Sequence, residues 1–170
     1  MKKIFLLAFS SIALLSCGSD DEATPNNSLQ GTWKVTSFTT NVPVDFNNDG
    51  VSSTNFLTES GCYDNSTLLF GNNNEVTAAF QDLDVTLDIN FENPEASIYE
   101  INCLPSAAVA GTWTQNNNSV TVTIDGEPAI MILNGNTLTA VFNEFVDIET
   151  FDGTETVYEV TGATLVFTKQ

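Results

Sequence analysis

The segment from Ser119 to Phe142 constrains the fold more than any other stretch. Ser119-Val120-Thr121-Val122-Thr123-Ile124 alternates without a break, with Val120, Val122 and Ile124 on one face and hydroxyls on the other. That period-two pattern is the mark of a half-buried strand. Asp125-Gly126 follows, then Pro128 to Leu133, then Asn134-Gly135, then Thr137-Leu138-Thr139-Ala140-Val141-Phe142. Asp-Gly and Asn-Gly favour two-residue hairpin turns, whose positive φ values match the twist of the flanking strands. Strands joined this tightly are antiparallel.

The same alternation of strand and turn runs through the chain from Leu29 onward. Ser66–Phe70 and Glu75–Phe80 flank Gly71-Asn72-Asn73-Asn74, and Val85–Phe91 and Ser97–Asn102 flank Asn93-Pro94. Asp152-Gly153 marks a further turn between Phe145–Phe151 and Thr154–Val160. No stretch with helical period reaches about ten residues, a short helix by usual standards. The fold class is all-β, an antiparallel meander closed into a barrel or folded as a sandwich.

The N-terminus has a different character. Met1-Lys2-Lys3 is basic, and Ile4 to Leu15 is apolar apart from Ser10 and Ser11. The run is too short for a stable membrane span but suits the core of a signal peptide. It ends in Leu14-Leu15-Ser16-Cys17-Gly18, which resembles a lipobox, where cleavage precedes a cysteine acylated on its thiol. Residues 1–16 are then a lipoprotein signal peptide and Cys17 is the lipidation site. Residues 17–28 form an acidic, flexible tether without a large apolar side chain. Ser19-Asp20-Asp21-Glu22 resembles the surface-export signal of Bacteroidetes lipoproteins, which implies the outer face of the outer membrane. A solvated linker on a periplasmic protein is the alternative. The membrane is reached through the lipid anchor alone.

Charge limits the partners. The chain has 22 acidic residues against four lysines, no arginine and no histidine, for a formal charge of −18. Nucleic acid is ruled against, because affinity there comes from cations on phosphates. Twelve phenylalanines and 42% hydrophobic residues mean that the chain is not a disordered acidic tail. Residues 29–170 suffice for one domain with one core.

With Cys17 assigned to lipid, Cys62 and Cys103 remain as an even pair in an oxidising compartment. A disulfide between them would contribute about 3–4 kcal/mol in the chain-entropy account.

Leu29-Gln30-Gly31-Thr32-Trp33-Lys34-Val35 opens the domain with a Gly-x-Trp on its first strand. Further along come Cys62-Tyr63-Asp64-Asn65-Ser66, a second Gly-x-Trp at Gly111-Thr112-Trp113, and a closing strand Ala163-Thr164-Leu165-Val166-Phe167-Thr168. In this order the motifs resemble lipocalins and the lipocalin-like lipoproteins of Bacteroidetes. The resemblance implies an antiparallel meander closed into a lipocalin-like barrel of about eight to ten strands over residues 29–170. It also implies that Trp33 closes one end of the barrel. In lipocalins an arginine from a late strand covers that tryptophan; with no arginine here, the pairing is expected to be absent. For Trp33 and Trp113 plain core packing is the simplest role.

Asp45-Phe46-Asn47-Asn48-Asp49-Gly50 matches the first half of an EF-hand calcium loop. The twelfth position, where a bidentate glutamate belongs, is Phe56. A folded-back loop could instead offer Asp45, Asn47, Asp49, the Val51 carbonyl and Glu59 to a structural Ca²⁺. A metal-free turn is the alternative, since Asp, Asn and Gly favour turns unaided.

Catalysis finds little to stand on. Without histidine there is no Ser-His-Asp triad, Cys-His pair or zinc triad. Asp82, Asp84 and Asp88 could form a carboxylate pair by number only. Two readings remain: a barrel holding a small apolar ligand, or a non-catalytic cell-surface protein with a filled barrel acting through its outside.

Overall fold

In a computed structural model, the residues described are 28–93, 96–105, 107–151 and 154–170, with side chains at 146–151 and 156–159 left aside. The signal peptide, Cys17, the tether up to residue 27 and the Asp152-Gly153 turn lie outside them. The strands are β1 (Gly31–Val44), β2 (Ser53–Asn55), β3 (Thr67–Phe70), β4 (Glu75–Ala79), β5 (Asp82–Asp88), β6 (Ile98–Leu104), β7 (Val109–Asn116), β8 (Ser119–Ile124), β9 (Glu127–Asn134), β10 (Thr137–Phe151) and β11 (Thr156–Lys169). One short helix, α1 (Phe56–Ser60), follows β2.

The main sheet runs β11-β10-β9-β8-β7-β4-β3-β1-β2, and β11 also pairs with β1. That pairing closes an antiparallel barrel of eight strands, as expected from the meander. β5 and β6 stand outside the barrel ladder as a separate hairpin between β4 and β7.

The turn chemistry behaves as the residues dictate. Asp125 and Gly126 have φ of 52° and 88°, and Ile124 faces Glu127 directly across the turn. At the next hairpin Asn134 still belongs to the ladder opposite Thr137, so the turn is Gly135-Asn136, one residue later than the sequence suggests. Phe145–Phe151 is not a separate strand. It continues β10 past a register shift between Phe142 and Val146.

β1 carries a second such shift, opposite β11 between Val35 and Ser37. Trp33 and Val35 are buried before it; Phe38 and Thr40 are buried after it. The extra residue flips the inward phase, so a single strand serves two packing regions. Before the bulge it faces the barrel interior with Leu68, Phe70, Leu138 and Phe167. After it, Phe38 joins a ring cluster with Phe56, Tyr63 and Phe145 at centroid distances of 4.5, 5.1 and 5.3 Å.

The barrel has two unlike ends. Ser28–Gln30, the connections at 71–74, 117–118 and 135–136, and Lys169 gather at one end, where Trp33 faces Lys169 and Gly31 faces Phe70. The other end receives the long 45–66 and 80–108 excursions, α1 and the 125–126 turn.

Candidate functional site

A cavity of about 420 Å³ opens at the second end of the barrel. Strand alternation builds its apolar body: Leu68, Ala78, Val122, Met131, Ala140 and Leu165 point inward from β3, β4, β8, β9, β10 and β11. Three alanines, Ala78 on β4, Ala129 on β9 and Ala140 on β10, keep the lining small on those strands. Phe80, Phe142, Phe145 and Phe167 add aromatic walls, with Phe80 edge-on to Phe167 at 5.8 Å. Polar groups are confined to Tyr63, Gln81, Asp82 and Glu127. The Tyr63 phenol is pushed up to about 12 by burial and then by the nearby Asp82 carboxylate.

Asp82 is exposed and shares its strand face with Asp84 and Asp88; of the three it alone lines the mouth of the cavity, and its Oδ1 accepts from the Leu83 amide at 2.9 Å. Asp84 and Asp88 are likewise exposed. Glu127 carried no role in the sequence reading. It has the same parity as Ala129 and Met131 on β9, which was the available signal.

The opposite end is sealed by Trp33. Its ring is 1% exposed, its Nε1 donates to the Leu29 carbonyl at 2.7 Å, and it meets Phe70 edge-on at 6.3 Å. Phe70 in turn meets Trp113 at 5.9 Å. The sequence has no arginine to cover Trp33, but a cation is present all the same: Lys169 Nζ lies 5.7 Å from the Trp33 ring centroid and also donates to the Ser28 carbonyl. Lysine on the last strand covers the ring where an arginine was looked for.

Cys62 and Cys103 are joined, with Cα atoms 5.5 Å apart. The bond ties β6 to the segment after α1 and so fixes the hairpin over the mouth. The loop at 45–50 adds two further ties. Asn48 Oδ1 accepts from the Tyr99 amide at 2.9 Å, and its Nδ2 donates to the Tyr99 carbonyl at 2.8 Å. Buried Phe46 packs against Tyr99 at 4.9 Å.

The candidate calcium ligands are arranged around that turn. Asp45 Oδ1 accepts from Asp49 N at 3.0 Å and its Oδ2 from Gly50 N at 2.8 Å. Asn47 Oδ1 also accepts from Asp49 N, and Asp49 Oδ1 accepts from Val51 N. Glu59 sits buried on α1, with Oε2 lacking a hydrogen-bond partner. Asp45, Asp49 and Glu59 are not gathered: among the described residues no three Asp, Glu or Cys side chains converge as a metal site needs.

The family model for the lipocalin-like domain matches residues 29–140, two thirds of the chain. No curated protein and no solved structure matches it. The matched region runs from two residues before β1 through both Gly-x-Trp motifs into the start of β10, and on this match the chain belongs to the lipocalin-like domain family.

Proposed function

We propose that this protein is an outer-membrane lipoprotein, anchored through Cys17 and displayed on the cell surface, whose barrel binds a small apolar ligand. The cavity carries the binding half of the reading. Its 420 Å³ falls within the range of about 300–1,000 Å³ typical of small-molecule sites, and apolar walls with few polar groups at one end are their usual chemistry. A barrel acting only through its outer surface has no need of alanines at three places in its interior lining. The lipocalin-like family is generally a non-catalytic binding fold, which favours a carrier or sensor over an enzyme. The anchoring half rests on the basic, apolar, Ser16-Cys17-Gly18 succession and on the acidic residues that follow.

Native mass spectrometry of the protein recovered from its own host's envelope tests both halves. The expected result is an acylated Cys17 and a small apolar molecule released on unfolding. An unacylated chain cut elsewhere removes the anchor. A protein that carries nothing and takes up no apolar probe removes the ligand.

A further inference from the structure

The polar groups of the cavity are all acceptors of positive charge or neutral. Asp82, at the start of β5, and Glu127, at the start of β9, are exposed and line the mouth beside Tyr63 and Gln81, and among the described residues no cationic side chain lines the cavity. The two lysines among the described residues, Lys34 and Lys169, belong to β1 and β11 at the sealed end. An anionic headgroup entering this mouth would meet two carboxylates and no counter-charge. A neutral ligand would bury its body and gain nothing from the rim. A cationic head would gain Coulomb attraction from both carboxylates, and the faces of Phe80, Phe142 and Phe145 suit an ammonium group.

We propose that the ligand is an amphipathic monocation, an apolar body carrying an amine or quaternary ammonium group, with its body in the barrel and its charge between Asp82 and Glu127. This rests on the reading of the barrel as a ligand site and narrows it. The raised Tyr63 phenol agrees with a negative field at this end, because Asp82 is one of its two causes. The field is local as well as global. The hairpin's other acids, Asp84, Asp88 and Glu100, are exposed like Asp82, but none of them lines the cavity.

The test uses the full-length protein and a neutral fluorescent phenylnaphthylamine, displaced in turn by decyltrimethylammonium, decanol and decanoate. The expected order is cation, alcohol, carboxylate, with the cation displacing at about tenfold lower concentration than the alcohol. Asp82→Asn combined with Glu127→Gln should shrink that gap to about twofold, while Asp84→Asn with Glu100→Gln, an equal change in net charge, should leave it near tenfold. Folding of each variant is checked by a cooperative thermal transition. If the Asp82 variant fails to fold, Glu127→Gln alone should still narrow the gap by about threefold. Equal displacement by all three compounds overturns the monocation while leaving the apolar pocket standing. So does a gap that survives loss of Asp82 and Glu127, or one lost equally with Asp84 and Glu100. Failure of the parent protein to bind phenylnaphthylamine overturns the pocket and the monocation together.

Discussion

Lys169 and Trp33 form a cation–ring pair across the β1–β11 seam, with Nζ 5.7 Å from the ring centroid. The two residues are also direct register partners, so closure of the barrel and covering of its end are one event. Half-exposed contacts of this kind contribute about 0.5–1 kcal/mol, and the bond to the Ser28 carbonyl adds about as much. Lys169→Met keeps the stem and loses both, so its Tm should fall by about 2–6 °C. Lys169→Arg should hold the parent Tm, because a guanidinium stacks at least as well. Equal Tm values for parent and Met variant in a thermal melt would show that the pair is decorative.

The Cys62–Cys103 bond should matter for stability and for the mouth. The hairpin shares no ladder with the barrel, so its position depends on this bond, the Asn48–Tyr99 pair and packing of Leu83, Val85, Tyr99 and Ile101 on the core. Cys62→Ser with Cys103→Ser should lower unfolding free energy by about 3–4 kcal/mol in urea titrations. Parent protein in reductant should converge on the same value. A loss below about 1 kcal/mol would mean that hydrogen bonds and packing hold the hairpin unaided.

The turn at 45–50 closes through its own amides, so its stability should not depend on calcium. Asp45→Ala removes acceptors for two amides, and its Tm should fall by about 2–4 °C equally in chelator and in calcium. A stabilisation of the parent by calcium that Asp45→Ala abolishes would restore the loop as a metal site.

Tyr63 gives the protein an alkaline limit. An ordinary tyrosine ionises near 10, and Tyr63 is pushed up to about 12. Between those values the folded chain holds a proton that the unfolded chain releases. The stabilisation is therefore full below pH 10 and is lost as pH rises through 12. Tyrosinate absorbance should show one tyrosine ionising above the ordinary range that Tyr63→Phe removes, and Tyr63→Phe should flatten the fall in Tm across that window. A late-ionising tyrosine that survives Tyr63→Phe, or none at all, would remove burial and Asp82 as causes.

Much of the barrel was legible because its information is local. Alternation at Val120-Val122-Ile124 and the Asp125-Gly126 turn specify a hairpin without reference to the rest of the chain. The second Gly-x-Trp also has a local reason: a Cβ on Gly111 would stand 2.3 Å from the Thr123 carbonyl oxygen on β8. What escaped depends on distant neighbours. Nothing between Asp82 and Leu104 says that this hairpin leaves the ladder. The bulge that joins Phe142 to Val146 in one strand is set by β11. Lys169 was overlooked because covering Trp33 was expected of arginine, although any cation at that register position can reach the ring. The 45–50 loop leaves calcium and a metal-free turn both open in the sequence, because Asx turns and EF-hand loops draw on the same residues. The tie from Asn48 to Tyr99, made by both its polar atoms, depends on a residue 51 positions away and has no local signal.

The placement of the two barrel ends sets an orientation. Ser28 and Leu29 enter at the sealed pole, beside Trp33 and Lys169, and the mouth with Asp82 and Glu127 is at the other pole. With Cys17 acylated as proposed, eleven residues upstream of Ser28, the barrel stands on its sealed pole like a cup on a short stem. A fluorophore on Asn72 should then be quenched by spin-labelled lipid and one on Ala107 should not; the reverse pattern would turn the cup over. Cargo would arrive from the surrounding medium, not sideways out of the bilayer that holds the protein.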